Sequence, residues 1–259
     1  SKGPLWSAMV THTLHPADPL CRSPQALEAL DSELTRLRKI STWDELNVME
    51  RQVAKELFPN AHFARIFAIF GIEHYELPEA NHKWKARVVF GGDRIKTASD
   101  EWAVFADAGT TPSNMVSARA CLAVSCMFPN MKQQQSDCIQ AFTQAEMDPN
   151  LPTFISLPKA WHPPHWAKLN LTDPVCRLKL ALYGHPKSGD LWHDRLHKVL
   201  VSHGFDCIEG WPSLYTKRIT PNTARGATPA QSNDSKRFTT KSQQEAAPAE
   251  TSGSELAII

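Results

Sequence analysis

The sequence predicts an α+β fold followed by a polar tail, and three observations carry that reading. Apolar residues recur at helical spacing in two separated stretches, one with Leu27, Leu30, Leu34 and Leu37, the other with Leu191, Trp192, Leu196, Val199 and Leu200. Between them lie runs rich in Phe, Ile and Val, clearest over Phe63 to Tyr75 and Lys83 to Phe90. Strands and helices mix without strict alternation, which argues for α+β rather than repeated βαβ units.

The elements follow in order. Residues 1–22 show no periodicity and are expected to be a loose leader. Ser23 can cap a helix whose first turn accommodates Pro24. Thr42-Trp43-Asp44-Glu45 fits a capping box and predicts a second helix to about Leu57, ending before Pro59. The two runs at Phe63 to Tyr75 and Lys83 to Phe90, joined by a turn at Leu77 to His82, predict a β-hairpin that Gly91-Gly92 ends. A helix starting near Thr111-Pro112 is expected to reach Pro129, and Gln133 to Phe142 a strand carrying Asp137. Short strands are expected at Thr153–Leu157, Val175–Leu180, Phe205–Ile208 and Leu214–Lys217, with a helix from about Gly189 to His203 that Gly204 ends. Residues 219–259 hold Thr, Ser, Pro, Ala, Gln and charges with one aromatic, Phe238, and are expected to be disordered.

Composition bounds the function. The 259 residues suffice for one large domain or two small ones. With 28 Lys and Arg against 27 Asp and Glu, the near-neutral total neither demands nor excludes a nucleic-acid partner, because a local basic patch can sit on a neutral protein. The six cysteines form no Cys-x-x-Cys pair, so they read as scattered reduced thiols of an intracellular protein, not as a zinc ribbon. Phe63 to Ile72, the most apolar stretch, is interrupted by Arg65 and far too short to span a bilayer. No signal peptide is visible, and the start at Ser1 instead of Met leads us to expect a piece of something longer.

Four blocks then bear a likeness. Lys83-Trp84-Lys85-Ala86-Arg87-Val88-Val89 resembles a Lys-Ala-Arg-Leu-Val strand, and Gln135-Ser136-Asp137-Cys138-Ile139-Gln140-Ala141-Phe142 resembles Gln-Leu-Asp-Val-Lys-Asn-Ala-Phe. Val175-Cys176-Arg177-Leu178, with Leu182-Tyr183-Gly184 and Trp192, resembles Val-Cys-Arg-Leu, Leu-Tyr-Gly and Trp; Gly204-Phe205 with Ser213-Leu214-Tyr215 resembles Gly-Phe and Ser-Leu-Phe. In order and approximate spacing these are the blocks of Ty1/copia-type retrotransposon reverse transcriptases, and the likeness covers roughly residues 25–218. It implies a partial right-hand polymerase, fingers and incomplete palm, within a Pol polyprotein. It also implies an RNA template, a DNA primer and a deoxynucleotide as partners, no membrane, and work in cytoplasmic particles before nuclear integration.

The resemblance assigns the chemistry. Such polymerases hold two Mg²⁺ (or Mn²⁺) ions that align the primer hydroxyl and stabilise the attacking and leaving oxygens. Asp137 matches the first catalytic, metal-binding aspartate; read alone, it is a solvated or turn-capping carboxylate. Phe142 matches the aromatic that excludes ribonucleotides; read alone, it is equally a core aromatic. Lys85 and Arg87 alternate on one strand and so share a face, with Lys83, Arg94 and Lys96 extending the row. That row suits a triphosphate or a nucleic-acid backbone, or else a charged edge strand guarded against aggregation. Lys187 replaces the Gln of the loop under the incoming base pair and could still meet phosphate. Trp161-His162-Pro163-Pro164-His165-Trp166 reads as a stiff aromatic loop, not a metal site.

One expected part is missing. After Arg218 the chain enters its polar tail with no Tyr-x-Asp-Asp hairpin; Asp234 is the tail's one Asp. Two of three carboxylates are then not supplied, and the chain alone is expected to be an inactive nucleotidyltransferase segment. The alternatives from other classes are a non-catalytic nucleic-acid-binding module, motivated by the basic row with Trp84 interleaved, and a degenerate transposon remnant.

Overall fold

A computed structural model describes residues 10–105, 115–128, 131–135, 137–211, 213–218, 240–241 and 254–258. In chain order the first elements are β1 (Thr11–Thr13), α1 (Pro24–Lys39), β2 (Met49–Glu50), α2 (Arg51–Leu57), β3 (His62–Glu73), β4 (Lys83–Phe90), β5 (Lys96–Thr97) and α3 (Met115–Met127). Then come β6 (Lys132–Gln135), β7 (Asp137–Cys138), β8 (Thr153–Ser156), β9 (Pro174–Arg177), α4 (Ser188–Ser202), β10 (Asp206–Cys207), β11 (Leu214–Arg218), β12 (Thr240–Lys241) and β13 (Ser254–Ile258). Two units share them, Ser1–Ala106 with Glu146–Ser188, and Asp107–Ala145 with Gly189–Ile259. The described chain is thus mixed α/β, with four α-helices and both parallel and antiparallel pairing.

The first unit is built on β3. Its Phe- and Ile-rich run pairs antiparallel with β4 from Ile66↔Phe90 to Glu73↔Lys83, and parallel with β8 from His62↔Thr153 to Arg65↔Ser156. The sheet continues through β9 to β2. The parallel register sets Phe63 beside Phe154, whose rings stack with centroids 5.5 Å apart. Both are buried with Ala54, Ala61 and Val175, and each such Phe contributes roughly 1.5–3 kcal/mol by leaving water. α1 lies against β4. It buries Ala26, Leu34 and Leu37 but leaves Leu27 of the expected stripe exposed. Its start is as expected: Ser23 Oγ accepts the Ala26 N–H at 3.2 Å, and Pro24 opens the first turn. Ser23→Ala should therefore cost about 1 kcal/mol, read as a lower midpoint in urea denaturation; an unchanged midpoint would remove the cap's contribution.

In the second unit the sheet order is β10-β11-β13-β6, and β7 pairs with β12. Leu196 and Leu200 of α4 pack on Tyr215 of β11, with Trp192 and Phe205 beside them. α3 buries Ser117 and Cys121 but exposes Met115, Val116, Leu122 and Met127.

Four expectations are corrected. The helix expected from Thr42 begins at Arg51. Thr42 is engaged elsewhere: its hydroxyl donates to Leu37 O at 2.9 Å, its carbonyl accepts from Lys179 and Leu180, and Trp43 bridges Leu178. The Thr42 hydroxyl and N–H both turn back to Leu37 O, so neither is left for a capping box, and the carbonyl is taken by the distant Lys179–Leu180 segment. The strand expected over Gln133–Phe142 is broken into β6 and β7, and Phe142 opens a 3-10 turn to Gln144. Gln140 adopts a φ of 56°, which ends an extended run, and the Gln144 amide closes the turn onto Ile139 O at 2.8 Å. In the leader, Thr11–Thr13 is strand β1 on β3 and Pro19–Arg22 a 3-10 turn; residues 1–9 lie outside the described residues. In the tail, expected to be disordered throughout, Thr240–Lys241 and Ser254–Ile258 are strands. The second carries Leu256-Ala257-Ile258, an apolar run that averaging over the tail conceals. The rest of the tail lies outside the described residues, as does the start expected at Thr111-Pro112.

Candidate functional site

The β3–β4 hairpin presents one basic face. On β4, Ala86, Val88 and Phe90 point into the core, so Lys83, Lys85 and Arg87 point the other way, as strand alternation requires. Across the pair, Lys85 stands opposite Gly71 and Arg87 opposite Ile69. Lys85 is not free of partners: its ammonium forms an ion pair with Glu73. Arg87 lies over the Tyr183 ring, 5.7 Å from the centroid, and Arg65 of β3 lies over Phe67 at 5.6 Å. Cations seated on aromatic faces are held in place without being neutralised, which is the arrangement phosphate and base contacts use together.

The far edge of β4 is covered. The Val88 N–H donates to the Glu33 carboxylate of α1. Burial raises the Glu33 carboxyl above its usual range, although Arg36, the Val88 N–H and Arg87 each pull it down. This acidic cap blunts an edge that would otherwise pair with other chains.

Residues 182–188 fold back onto the end of β4. The Phe90 N–H donates to Tyr183 O at 2.7 Å. Gly184 has a φ of +89°, and a Cβ there would stand 2.2 Å from Phe90 O. A Cβ on Gly92 would stand 2.0 Å from Gly184 O. Only glycine permits both approaches. Within the loop, Ser188 Oγ donates to Leu182 O at 2.6 Å, and Lys187 N–H donates to His185 Nδ1 at 3.1 Å. His185 is buried on Phe90 and Phe105, and Phe105 also meets His62. Burial lowers the pKa of both histidines; for His185 it falls to about 4, with His62 and Lys187 contributing.

The expected site residues therefore divide. Lys85, Arg87 and Lys187 belong to the first unit, and the loop bearing Lys187 is bonded to the strand bearing Arg87. Asp137 and Phe142 belong to the second unit. The Asp137 backbone pairs with Lys241, and Phe142 lies in the turn described above, not on a strand with Asp137. Arg65 and Tyr183 join the basic face without having been singled out for it. Arg65 signalled itself by interrupting an apolar run, and Tyr183 by standing in the Leu-Tyr-Gly block. The Trp161–Trp166 loop is structural: His162 and His165 bond the carbonyls of Leu157 and Glu45 at 3.0 and 3.1 Å, and Trp166 Nε1 donates to Glu45 O.

Among the described residues no group of three or more His, Cys, Asp and Glu side chains is placed to hold a metal ion. No described helix is long and apolar enough to cross a membrane. Comparison with protein-family models, curated proteins and solved structures returned no match to this chain.

Proposed function

We propose that the chain is a segment of an RNA-directed DNA polymerase of the copia-type retrotransposon class, fingers and part of the palm, whose β3–β4 face takes nucleic-acid phosphates. The observation that supports this most is the meeting of two blocks far apart in sequence. The Lys-Ala-Arg strand and the Leu-Tyr-Gly loop are joined by the Phe90–Tyr183 hydrogen bond, the Gly92–Gly184 approach and the Arg87–Tyr183 stack. A loop tied to the basic strand in this way can set a base pair beside its phosphates. Asp137 is then the first metal-binding aspartate, Phe142 the sugar-gating aromatic and Lys187 a further phosphate contact. The metal would be Mg²⁺ or Mn²⁺. No adjacent Asp pair occurs in the chain, so one aspartate cannot hold two ions and the chain by itself does not extend a primer.

Primer extension on an RNA template with Mg²⁺ and with Mn²⁺, beside Asp137→Asn, tests this. No product is expected from either protein. Product from the parent that disappears in Asp137→Asn would overturn the claim of inactivity and show that other carboxylates complete the site.

A second reading, a nucleic-acid-binding module without catalysis, is favoured by one observation: Arg65, Lys83, Lys85 and Arg87 with Phe67 and Tyr183 all lie in the first unit. Both readings require binding to a single-stranded oligonucleotide that weakens with salt. Arg87→Glu should lower the slope of log affinity against log salt by about 1, with a larger effect than Lys85→Glu, whose ammonium already has a carboxylate partner. Binding that ignores salt and both substitutions would remove the basic face from either reading.

A further inference from the structure

In the second unit, α4 carries His193 and His197 one turn apart, so their side chains share a face. Their rings are nearly parallel, 10° between planes, with centroids 6.4 Å apart. Each ring has an oxygen near Nδ1. His197 Nδ1 lies 3.1 Å from the Tyr215 hydroxyl on β11, and His193 Nδ1 lies 3.8 Å from Asp194 Oδ1. Only the Tyr215 contact is within hydrogen-bond distance; where His197 Nδ1–H donates to that hydroxyl, the ring's lone pair is left on Nε2. Two imidazoles at this spacing form a bidentate nitrogen donor set. Imidazole suits borderline cations such as Cu²⁺ and Zn²⁺, and not the hard, oxygen-seeking Mg²⁺ of nucleotidyl transfer.

We propose that His193 and His197 bind one divalent transition-metal cation through their Nε2 atoms, with water completing the coordination. Tyr215 orients the His197 ring and does not ligate. His197 is held between Tyr215 and the packed side of α4, where Leu196 and Leu200 are buried. His193 is 38% exposed along its side chain, so it is the ring that turns to close on the ion. Zinc–nitrogen bonds of about 2.0–2.1 Å then draw the two Nε2 atoms together. The site does not depend on the polymerase reading, since neither His193 nor His197 is among the residues assigned to metal, sugar or phosphate there.

The test uses the full folded chain with its exposed cysteines Cys126 and Cys207 alkylated, so that surface thiolates do not compete, and Cu²⁺ as the probe. Calorimetry should find one equivalent bound, and the electron paramagnetic resonance spectrum should show coupling to two imidazole nitrogens. His193→Gln should weaken binding at least tenfold and leave one coupled nitrogen. The His193→Gln, His197→Gln double variant should lose the site entirely. Tyr215→Phe should weaken binding by about tenfold, as loss of an orienting partner does. His197→Gln can disturb packing on Tyr215, so the exposed His193→Gln carries the decision. Unchanged affinity and unchanged nitrogen coupling in His193→Gln would overturn the proposal.

Discussion

Gly184→Ala is expected to destabilise the first unit by about 3 kcal/mol or more. Two costs combine. Gly184 holds a φ of +89°, a left-handed conformation that costs an alanine roughly 1–2 kcal/mol. Its Cβ would also stand 2.2 Å from Phe90 O and 2.8 Å from Val89 Cγ1. The nearest atom is backbone, and Phe90 is tied back to Tyr183 by the 2.7 Å hydrogen bond, so neither side can give way alone. In thermal unfolding the shift should be roughly 6–12 °C for a unit of this size. Gly210→Ala separates the two costs, because Gly210 has a φ of +76° with nothing within 4 Å of its Cβ position. That variant should lose the backbone cost alone. Gly210 lies in the second unit, so the comparison is of unfolding free energies: a Gly184→Ala loss in the first unit no larger than the Gly210→Ala loss in the second would mean the loop and the strand end do not meet as described. Oligonucleotide binding should fall with stability in Gly184→Ala, since Tyr183 would no longer be held beneath Arg87.

Acid should destabilise the first unit through His185, beginning at an unusually high pH. His185 is 6% exposed. Its pKa is held down to about 4 from 6.5, first by burial and then by positive charge at His62 and Lys187. The neighbours that face it from β4 and from the segment after β5 are the uncharged rings of Phe90 and Phe105. Its Nε2 and the Nδ1 of His62 are buried with no hydrogen-bond partner among the described residues. The sign follows from which state takes the proton. Below pH 6.5 the unfolded chain protonates His185 and the folded chain does not, until about pH 4. Stability is complete above pH 6.5, falls as pH drops, and levels off below about 4, with a total loss of about 3 kcal/mol. His62, lowered by burial, acts in the same direction. His185→Asn keeps an acceptor for the Lys187 N–H and does not titrate. Urea denaturation at intervals from pH 7 to pH 4 should give a shallower decline for that variant than for the parent. Parallel declines would show that His185 is not buried as a neutral imidazole.

Local signals were legible in the sequence where one short segment decides the outcome. Ser23-Pro24 marked the start of α1, because a cap needs only its own first turn. Alternation marked β4 as Lys83–Phe90 and assigned its basic side chains to one face, because the pleat has a period of two. The leucines of α4 marked the side that packs on Tyr215. The Leu-Tyr-Gly block was visible as a motif, but its role was not, since the Phe90 carbonyl that forbids a Cβ at Gly184 lies far away along the chain.

The misreadings share one physical cause. Thr42 to Glu45 satisfies every local rule for a helix start, yet its backbone groups pair with Leu178 to Leu180, which no window around Thr42 contains. The left-handed Gln140 and the 3-10 turn that Phe142 opens end the strand that was expected to reach Phe142. By itself the sequence determined the class of fold, the position of the hairpin and the charge of its face, because periodicity and capping act over one or two turns. Only the tertiary structure decided that Arg65 and Tyr183 complete that face, that Lys85 is partnered by Glu73, and that two glycines seal the loop to the strand. Those outcomes depend on which distant backbones approach each other, and hydrogen bonds and excluded volume act between atoms near in space, however far apart they stand in the chain.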